Sequence, residues 1–112
     1  MEQLQPPGIT RTDLQRQDLS VDDREVIQAR VDLTPEAPAI RHSHLGEEII
    51  YILEGSLEYQ VEGGPTKTYE AGDALTVPAR AVHSARNVGS GNAAELATYI
   101  VEKGKPLLAP AG

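Results

Sequence analysis

The 112-residue sequence contains no cysteine, no phenylalanine and no tryptophan. The lack of cysteine excludes disulfides, thiolate nucleophiles and zinc sites built on cysteine. Tyrosine is the only aromatic residue, so Val, Ile, Leu and Ala must build the core. No run approaches the ~20 apolar residues that span a bilayer, and no apolar stretch of the signal-peptide type begins the chain. We therefore expect a cytoplasmic protein with no membrane partner.

Positive charge is also scarce. The chain carries 10 Lys and Arg residues against 17 Asp and Glu residues, which gives a formal net charge of −7 at pH 7. A nucleic-acid-binding domain normally presents a basic face or stripe, and an anionic membrane would repel this chain. The composition therefore argues against nucleic acid as a partner and favours a small-molecule ligand or a protein partner.

Short segments of alternating polarity dominate the sequence, with Gly- and Pro-rich turns between them. The pattern predicts strands at residues 25–33, 40–44, 48–53, 56–62, 66–70, 74–77, 82–88 and 95–102. Gly55 lies between two of these strands and suits a tight hairpin, because glycine adopts a positive φ without penalty. No helix is evident, so we predict one all-β sandwich or barrel over residues 21–103. Residues 1–20 are predicted to form an N-terminal arm and residues 104–112 a C-terminal tail.

One predicted strand carries no polar residue between Ile49 and Leu53. Both faces of such a strand favour burial, whereas a single barrel buries only one of them. We predict that the outer face packs on a second copy of the chain in a homodimer. The alternative is that the N-terminal segment of the same chain covers this face.

The three histidines of the chain are His42, His44 and His83. Residues two apart on a strand point to the same face with their backbones about 6.6 Å apart, as in His42-Ser-His44. Two imidazoles in this arrangement can bind one metal ion at roughly 2.1 Å each. A turn then leads to Glu47 and Glu48, either of which can bring a carboxylate beside the imidazoles. Strand parity does not choose between them, because both faces of the strand are apolar.

The order and spacing of these residues resemble the two sequence motifs of the cupin family. Residues 42–55 read HSHLGEEIIYILEG and resemble the first motif, whose spacing selects Glu48. Residues 72–87 read GDALTVPARAVHSARN and are similar to the second motif, which contains His83. The resemblance implies a cupin-type jelly-roll β-barrel of six to eight or more short antiparallel strands. It also implies a metal site formed by His42, His44, Glu48 and His83.

Three imidazoles and one carboxylate favour a divalent transition metal, namely Mn, Fe, Co, Ni, Cu or Zn, over Mg or Ca. Four protein ligands leave positions on an octahedral ion open for water or substrate. Arg41 and Arg86 lie at odd offsets from the histidines and are predicted to point outward, so a substrate would bind chiefly through the metal. Arg80 replaces the usual glycine of the second motif and is a candidate substrate contact at the rim of the barrel.

Two functions fit these predictions. The first is a metal-dependent enzyme that acts on a small oxygenated metabolite as a dioxygenase, isomerase or lyase. The alternative is a non-catalytic module that binds or senses a small metabolite through the same metal. No acid or base is evident in the sequence beyond the tyrosines and Glu47, so no catalytic residue is predicted.

Overall fold

The computed structural model describes residues 7–111, which form ten β-strands. The strands are β1 (Ile9–Asp18), β2 (Arg24–Leu33), β3 (His42–Ser43), β4 (Glu47–Glu54), β5 (Ser56–Val61), β6 (Lys67–Glu70), β7 (Ala74–Val77), β8 (His83–Asn87), β9 (Ala93–Glu102) and β10 (Ala109–Pro110). They form two five-stranded sheets with the orders β1-β2-β9-β4-β7 and β10-β3-β8-β5-β6. All recorded pairings are antiparallel, which confirms the predicted all-β jelly-roll barrel. Within residues 7–111, no helix is long and apolar enough to cross a membrane.

Strand β4 shows how the sequence builds the core and aims the site. Glu48, Ile50 and Ile52 alternate along the strand and are 3%, 0% and 0% exposed. Ile49 and Tyr51 on the opposite face are 42% and 46% exposed in the single chain. Full burial of one isoleucine side chain contributes roughly 1.5–3 kcal/mol, and a one-residue slip would expose both buried ones. The register that buries the two isoleucines therefore also points Glu48 into the barrel.

Two strands lie in segments where none was predicted. Strand β1 belongs to the predicted N-terminal arm, yet it pairs with β2 along its length. It is an edge strand with mostly exposed residues, and Arg11 occupies an inward position, so no apolar alternation marks it. Strand β10 lies in the predicted tail and pairs with β3. The paired strands thus extend beyond residues 21–103 on both sides, while residues 1–6 and 112 of the predicted arm and tail lie outside the described residues.

Two turn features hold the strands that carry the site. Gly55 has a φ of 77°, which confirms the predicted need for glycine in the β4–β5 hairpin. Asn87, at the end of β8, donates hydrogen bonds to the carbonyl oxygens of Leu33 and Gly91 at 2.8 Å and 2.9 Å. Its amide therefore ties β8 to the end of β2 and to the loop that precedes β9.

Candidate metal site

Four potential metal ligands from two parts of the sequence meet inside the barrel. His42 lies on β3, Glu48 on β4 and His83 on β8, while His44 directly follows β3. The pairing of β3 with β8 places His42 opposite His83. One candidate ligand atom from each of the four residues lies within 4.8 Å of all the others. The structure thus brings together the four residues that the sequence analysis named as ligands.

The structure distinguishes Glu48 from its neighbour. Glu48 pairs with Val77 on β7 and with Tyr99 on β9, and it is buried among inward-facing residues. Glu47 faces the opposite way and is exposed. The choice of Glu48 that the motif spacing made therefore agrees with the geometry of the sheet.

A backbone carbonyl group fixes the orientation of each of the three imidazole rings. Nδ1 of His42 lies 2.8 Å from the carbonyl oxygen of Ile40, and Nδ1 of His83 lies 2.9 Å from that of Ala81. Nδ1 of His44 lies 2.8 Å from the carbonyl oxygen of Leu107. A carbonyl oxygen can only accept, so each Nδ1 carries the proton and donates it. Each neutral ring then presents Nε2 as a lone pair, the form in which imidazole binds a metal.

This arrangement leaves electron pairs facing one another. Nε2 of His44 and Nε2 of His83 lie 3.3 Å and 3.1 Å from the same oxygen of Glu48. In the neutral rings these nitrogens have no proton to give to that oxygen, and Nε2 of His44 is buried without a hydrogen-bond partner among the described residues. A buried polar atom without a partner is costly, and a cation between these atoms would satisfy all of them. The residues present therefore fit a divalent transition metal.

The protonation states of the cluster suit the same reading. Burial raises the pKa of Glu48, but the adjacent rings of His44 and His83 outweigh it and lower that pKa to about 2. Burial lowers the pKa of His42 and so favours its neutral form. Metal binding requires an ionised carboxylate and neutral imidazoles, and Glu48 and His42 already favour those forms. Burial lowers the pKa of His83, but its hydrogen bond with Glu48 outweighs burial and raises that pKa, so a metal ion would displace a proton held between His83 and Glu48.

A second buried carboxyl group lies in the barrel and was missed in the sequence analysis. Glu95 on β9 is 5% exposed, and its carboxylate accepts a hydrogen bond from the Tyr59 hydroxyl. Burial, followed by the charge of Glu48, raises the pKa of Glu95 to about 8, so it holds a proton at neutral pH. Parity along β9 could have found it, because Glu95 alternates with Ala97 and Tyr99, which also face inward.

The prediction that Arg41 and Arg86 point outward did not consider a third arginine, Arg11, which contacts the surroundings of the cluster. Arg41 and Arg86 are exposed, as predicted, and Arg86 pairs with Glu58 at 3.1 Å. Arg11 from the unpredicted strand β1, however, donates from Nη1 to the hydroxyl of Tyr99 at 3.3 Å. The Tyr99 ring in turn lies 4.8 Å from the His44 ring between centroids. The earlier expectation considered only arginines near the motifs.

Arg80, the predicted rim residue, acts here through its backbone. Its φ of 67° lies in the left-handed region, which explains why glycine is usual at this motif position. Its backbone N–H donates to the carbonyl oxygen of His44 at 2.7 Å. The side chain is exposed, and its contact with a substrate stays a prediction.

The cupin domain profile matches residues 29–101, which is more than half of the chain. The chain therefore belongs to the cupin family, as its two motifs indicated. No protein of curated function shows significant sequence similarity to it.

Similar solved structures agree on the fold. A DMSP lyase, DddQ from Ruegeria pomeroyi DSS-3, has 21% identity and a TM-score of 0.76 over 94% of this chain and 54% of its own. An oxalate oxidase in complex with glycolate has 21% identity and a TM-score of 0.74 over 96% of this chain and 57% of its own. The polyketide cyclase RemF from Streptomyces resistomycificus has 22% identity and a TM-score of 0.73 over 96% of this chain and 73% of its own. The chain thus spans little more than half the length of the first two proteins.

Proposed function

We propose that this cupin is a metal-dependent enzyme that acts on a small oxygenated metabolite. His42, His44, Glu48 and His83 would hold one divalent transition metal from the group Mn, Fe, Co, Ni, Cu and Zn. The observation that carries the proposal is the set of three rings with engaged Nδ1 atoms, two of which place Nε2 at 3.3 Å and 3.1 Å from the buried carboxylate of Glu48. When bound, the metal would supply Lewis acidity or a site for oxygen chemistry.

The pair formed by Tyr59 and Glu95 favours an enzyme over a binding module. General acid catalysis needs a positioned proton donor with a pKa near the working pH, and carboxyl groups with strongly raised pKa values cluster at active sites. Glu95, with a pKa of about 8, meets that condition. The alternative is a module that binds or senses a metabolite through the same metal without turnover. Dioxygenase, isomerase and lyase chemistry all stay within the proposal, and an oxidase and a lyase are among the similar structures.

A homodimer is part of the proposal. Ile49, Tyr51 and Leu53 form a contiguous apolar strip on the outer face of β4, with 42%, 46% and 39% of each residue exposed. A two-fold interface would bury this strip against its own copy. An Ile49→Lys variant should sediment as a monomer where the parent is a dimer. Val88→Lys, at an exposed apolar residue outside this strip, should leave the assembly unchanged. Cytoplasmic localisation likewise stays a prediction.

Elemental analysis of the untagged protein tests the metal site. We expect about one transition metal ion per chain. The neighbouring carboxylates provide a matched pair of variants, because Glu48→Gln alters the cluster and Glu47→Gln alters an exposed side chain. Metal should be lost from the Glu48→Gln variant and from His83→Ala, and should stay in Glu47→Gln. Metal bound equally by all variants would refute the site.

Turnover then separates the two functions. A metal-loaded enzyme should consume a diketone, an enediol or a catechol, whereas a binding module would only be stabilised by such a compound. In an enzyme, Glu95→Gln should lower kcat by roughly 10²-fold or more with its metal content unchanged, since general acid catalysis typically contributes that much. A Glu95→Gln variant with full kcat would remove the argument for catalysis that rests on this residue.

A further inference from the structure

A cleft of about 460 Å³ opens beside the candidate metal site, between β1 and the segment that precedes β10. The residues that matter in its lining are Arg11, Arg16, Lys105, Asp13, Ile27 and Leu107. Two of them connect it to the cluster. The carbonyl oxygen of Leu107 accepts the Nδ1 proton of His44 at 2.8 Å, and Ile27 packs against the apolar cluster that contains Tyr99.

The charge of the cleft is opposite to that of the chain. Arg11, Arg16 and Lys105 line it together with a single acidic residue, Asp13, although the chain as a whole carries −7. Arg16 is occupied by Glu25, with hydrogen bonds of 2.9 Å and 2.8 Å. The charged residues of the lining are therefore positive on balance, and a cleft of net positive charge concentrates anionic ligands.

Arg11 is the cation of this cleft that contacts Tyr99, the neighbour of the His44 ring. Its side chain is 24% exposed, and its guanidinium carbon lies 5.3 Å from the centroid of the Tyr99 ring. Nε donates to Asp13 at 3.1 Å and Nη1 donates to the Tyr99 hydroxyl at 3.3 Å. Among the described residues Nη2 has no recorded acceptor, so the guanidinium keeps donors for a ligand in the cleft. The planar fork of arginine matches the two oxygens of a carboxylate.

We propose that this cleft binds a carboxylate of the substrate, and that Arg11 is its anchor. The ligand is then a small carboxylic acid whose oxygen donors elsewhere in the molecule reach the metal, since the Arg11 guanidinium carbon and the His44 ring lie 5.3 Å and 4.8 Å from the centroid of the same Tyr99 ring. The hydrogen bond from Arg11 to the Tyr99 hydroxyl helps to position the guanidinium. This inference rests on the proposed metal site and adds the chemical class of the substrate to it.

Pairs of oxo acids with and without a second carboxylate test whether the cleft binds that group. In 2-oxoglutarate and 2-oxoadipate a second carboxylate ends the chain, and 2-oxopentanoate and 2-oxohexanoate have the same length and the same metal-binding oxygens without it. Binding to zinc-loaded protein is measured by calorimetry. We expect at least one of the two diacids to bind about tenfold more tightly than the monoacid of the same length. This ratio corresponds to the free energy that a hydrogen bond to a charged group contributes. Arg11→Gln should abolish that preference, and Arg11→Lys should keep a part of it.

Arg41 provides the matched control. It lines a second cleft, of about 370 Å³, which also contains His83. Arg41→Gln should leave the diacid preference intact, whereas its loss in this variant alone would assign the carboxylate to the second cleft and overturn the proposal. Equal binding of both acid types by the parent would also overturn it. Metal content separates this failure from failure of the metal site, since protein with one zinc per chain and no diacid preference contradicts only the carboxylate inference.

Discussion

Replacement of Glu95 by glutamine should change how the stability of the metal-free protein depends on pH. The folded state raises the pKa of this carboxyl group from 4.5 to about 8. A group with a raised pKa contributes stability that is fully present below the unfolded-state pKa and is lost as pH rises towards the folded-state pKa. Each pKa unit corresponds to about 1.36 kcal/mol, so the loss of folding stability between pH 4.5 and pH 8 has an upper limit of about 4–5 kcal/mol. Glutamine keeps the size of the side chain and an acceptor for the Tyr59 hydroxyl but does not ionise.

The difference in unfolding free energy between Glu95→Gln and the parent isolates this group from the other titrating residues. Urea unfolding of EDTA-treated protein from pH 5 to pH 8.5 measures it. The unfolding free energy of the variant should increase steadily relative to that of the parent as pH rises. A metal ion beside Glu48 would offset the negative charge that contributes to the raised pKa of Glu95. Bound zinc should therefore weaken the pH dependence of this difference in unfolding free energy. A difference that does not change with pH, or that falls, would refute the assignment of a buried, protonated Glu95.

Three further results are expected. Gly46→Ala should cost roughly 1–3 kcal/mol and weaken metal binding, because the new Cβ would lie 1.8 Å from the carbonyl oxygen of Ile100, while Gly91→Ala, with open space around it, should be near neutral in thermal unfolding. Arg80→Gly should stabilise the protein by up to about 1 kcal/mol in urea unfolding, because relief of a left-handed φ exceeds the entropy cost of glycine. Removal of metal by EDTA should lower the Tm by several degrees and zinc should restore it, since a ligand at 100 times its Kd contributes about 2.7 kcal/mol. No change in Tm on metal removal would count against a bound ion.

The fold and the cluster could be predicted because their signals are local in the sequence. The apolar alternation of β2 and β4 marks strands directly, and His42, His44 and Glu48 lie close together in the sequence, across the short connection between β3 and β4. His83 is distant in sequence, but it is the only other histidine, so it had no competitor. Parity alone did not separate Glu47 from Glu48. The register of β4 between β7 and β9 does so, and that register depends on strands far away in the chain.

The rest of the site depends on pairings that leave little local signal. Strand β1 is polar, and only its pairing with β2 shows that Arg11 faces inward. Parity along β9 places Glu95 on the inward face with Ala97 and Tyr99, but it does not reveal the hydrogen-bond partner of Glu95. Its partner Tyr59 lies on the other sheet, and the two meet only when the sheets pack. What the sequence could not supply was therefore the set of polar contacts between strands remote from the motifs.

Two buried carboxyl groups of the same barrel illustrate why Glu95 belongs with function. Glu25 is 5% exposed, and two hydrogen bonds from Arg16 lower its pKa, so its charge is compensated within the fold. Glu95 is buried to the same extent but is held by the Tyr59 hydroxyl alone, with Arg11 as a weaker opposing charge. Burial of an acid without a charge partner costs stability that an apolar residue would avoid. Since departures from optimal stability concentrate at functional sites, the contrast supports the proposal that a ligand binds and reacts in the region of Glu95 and Arg11, beside the histidine cluster.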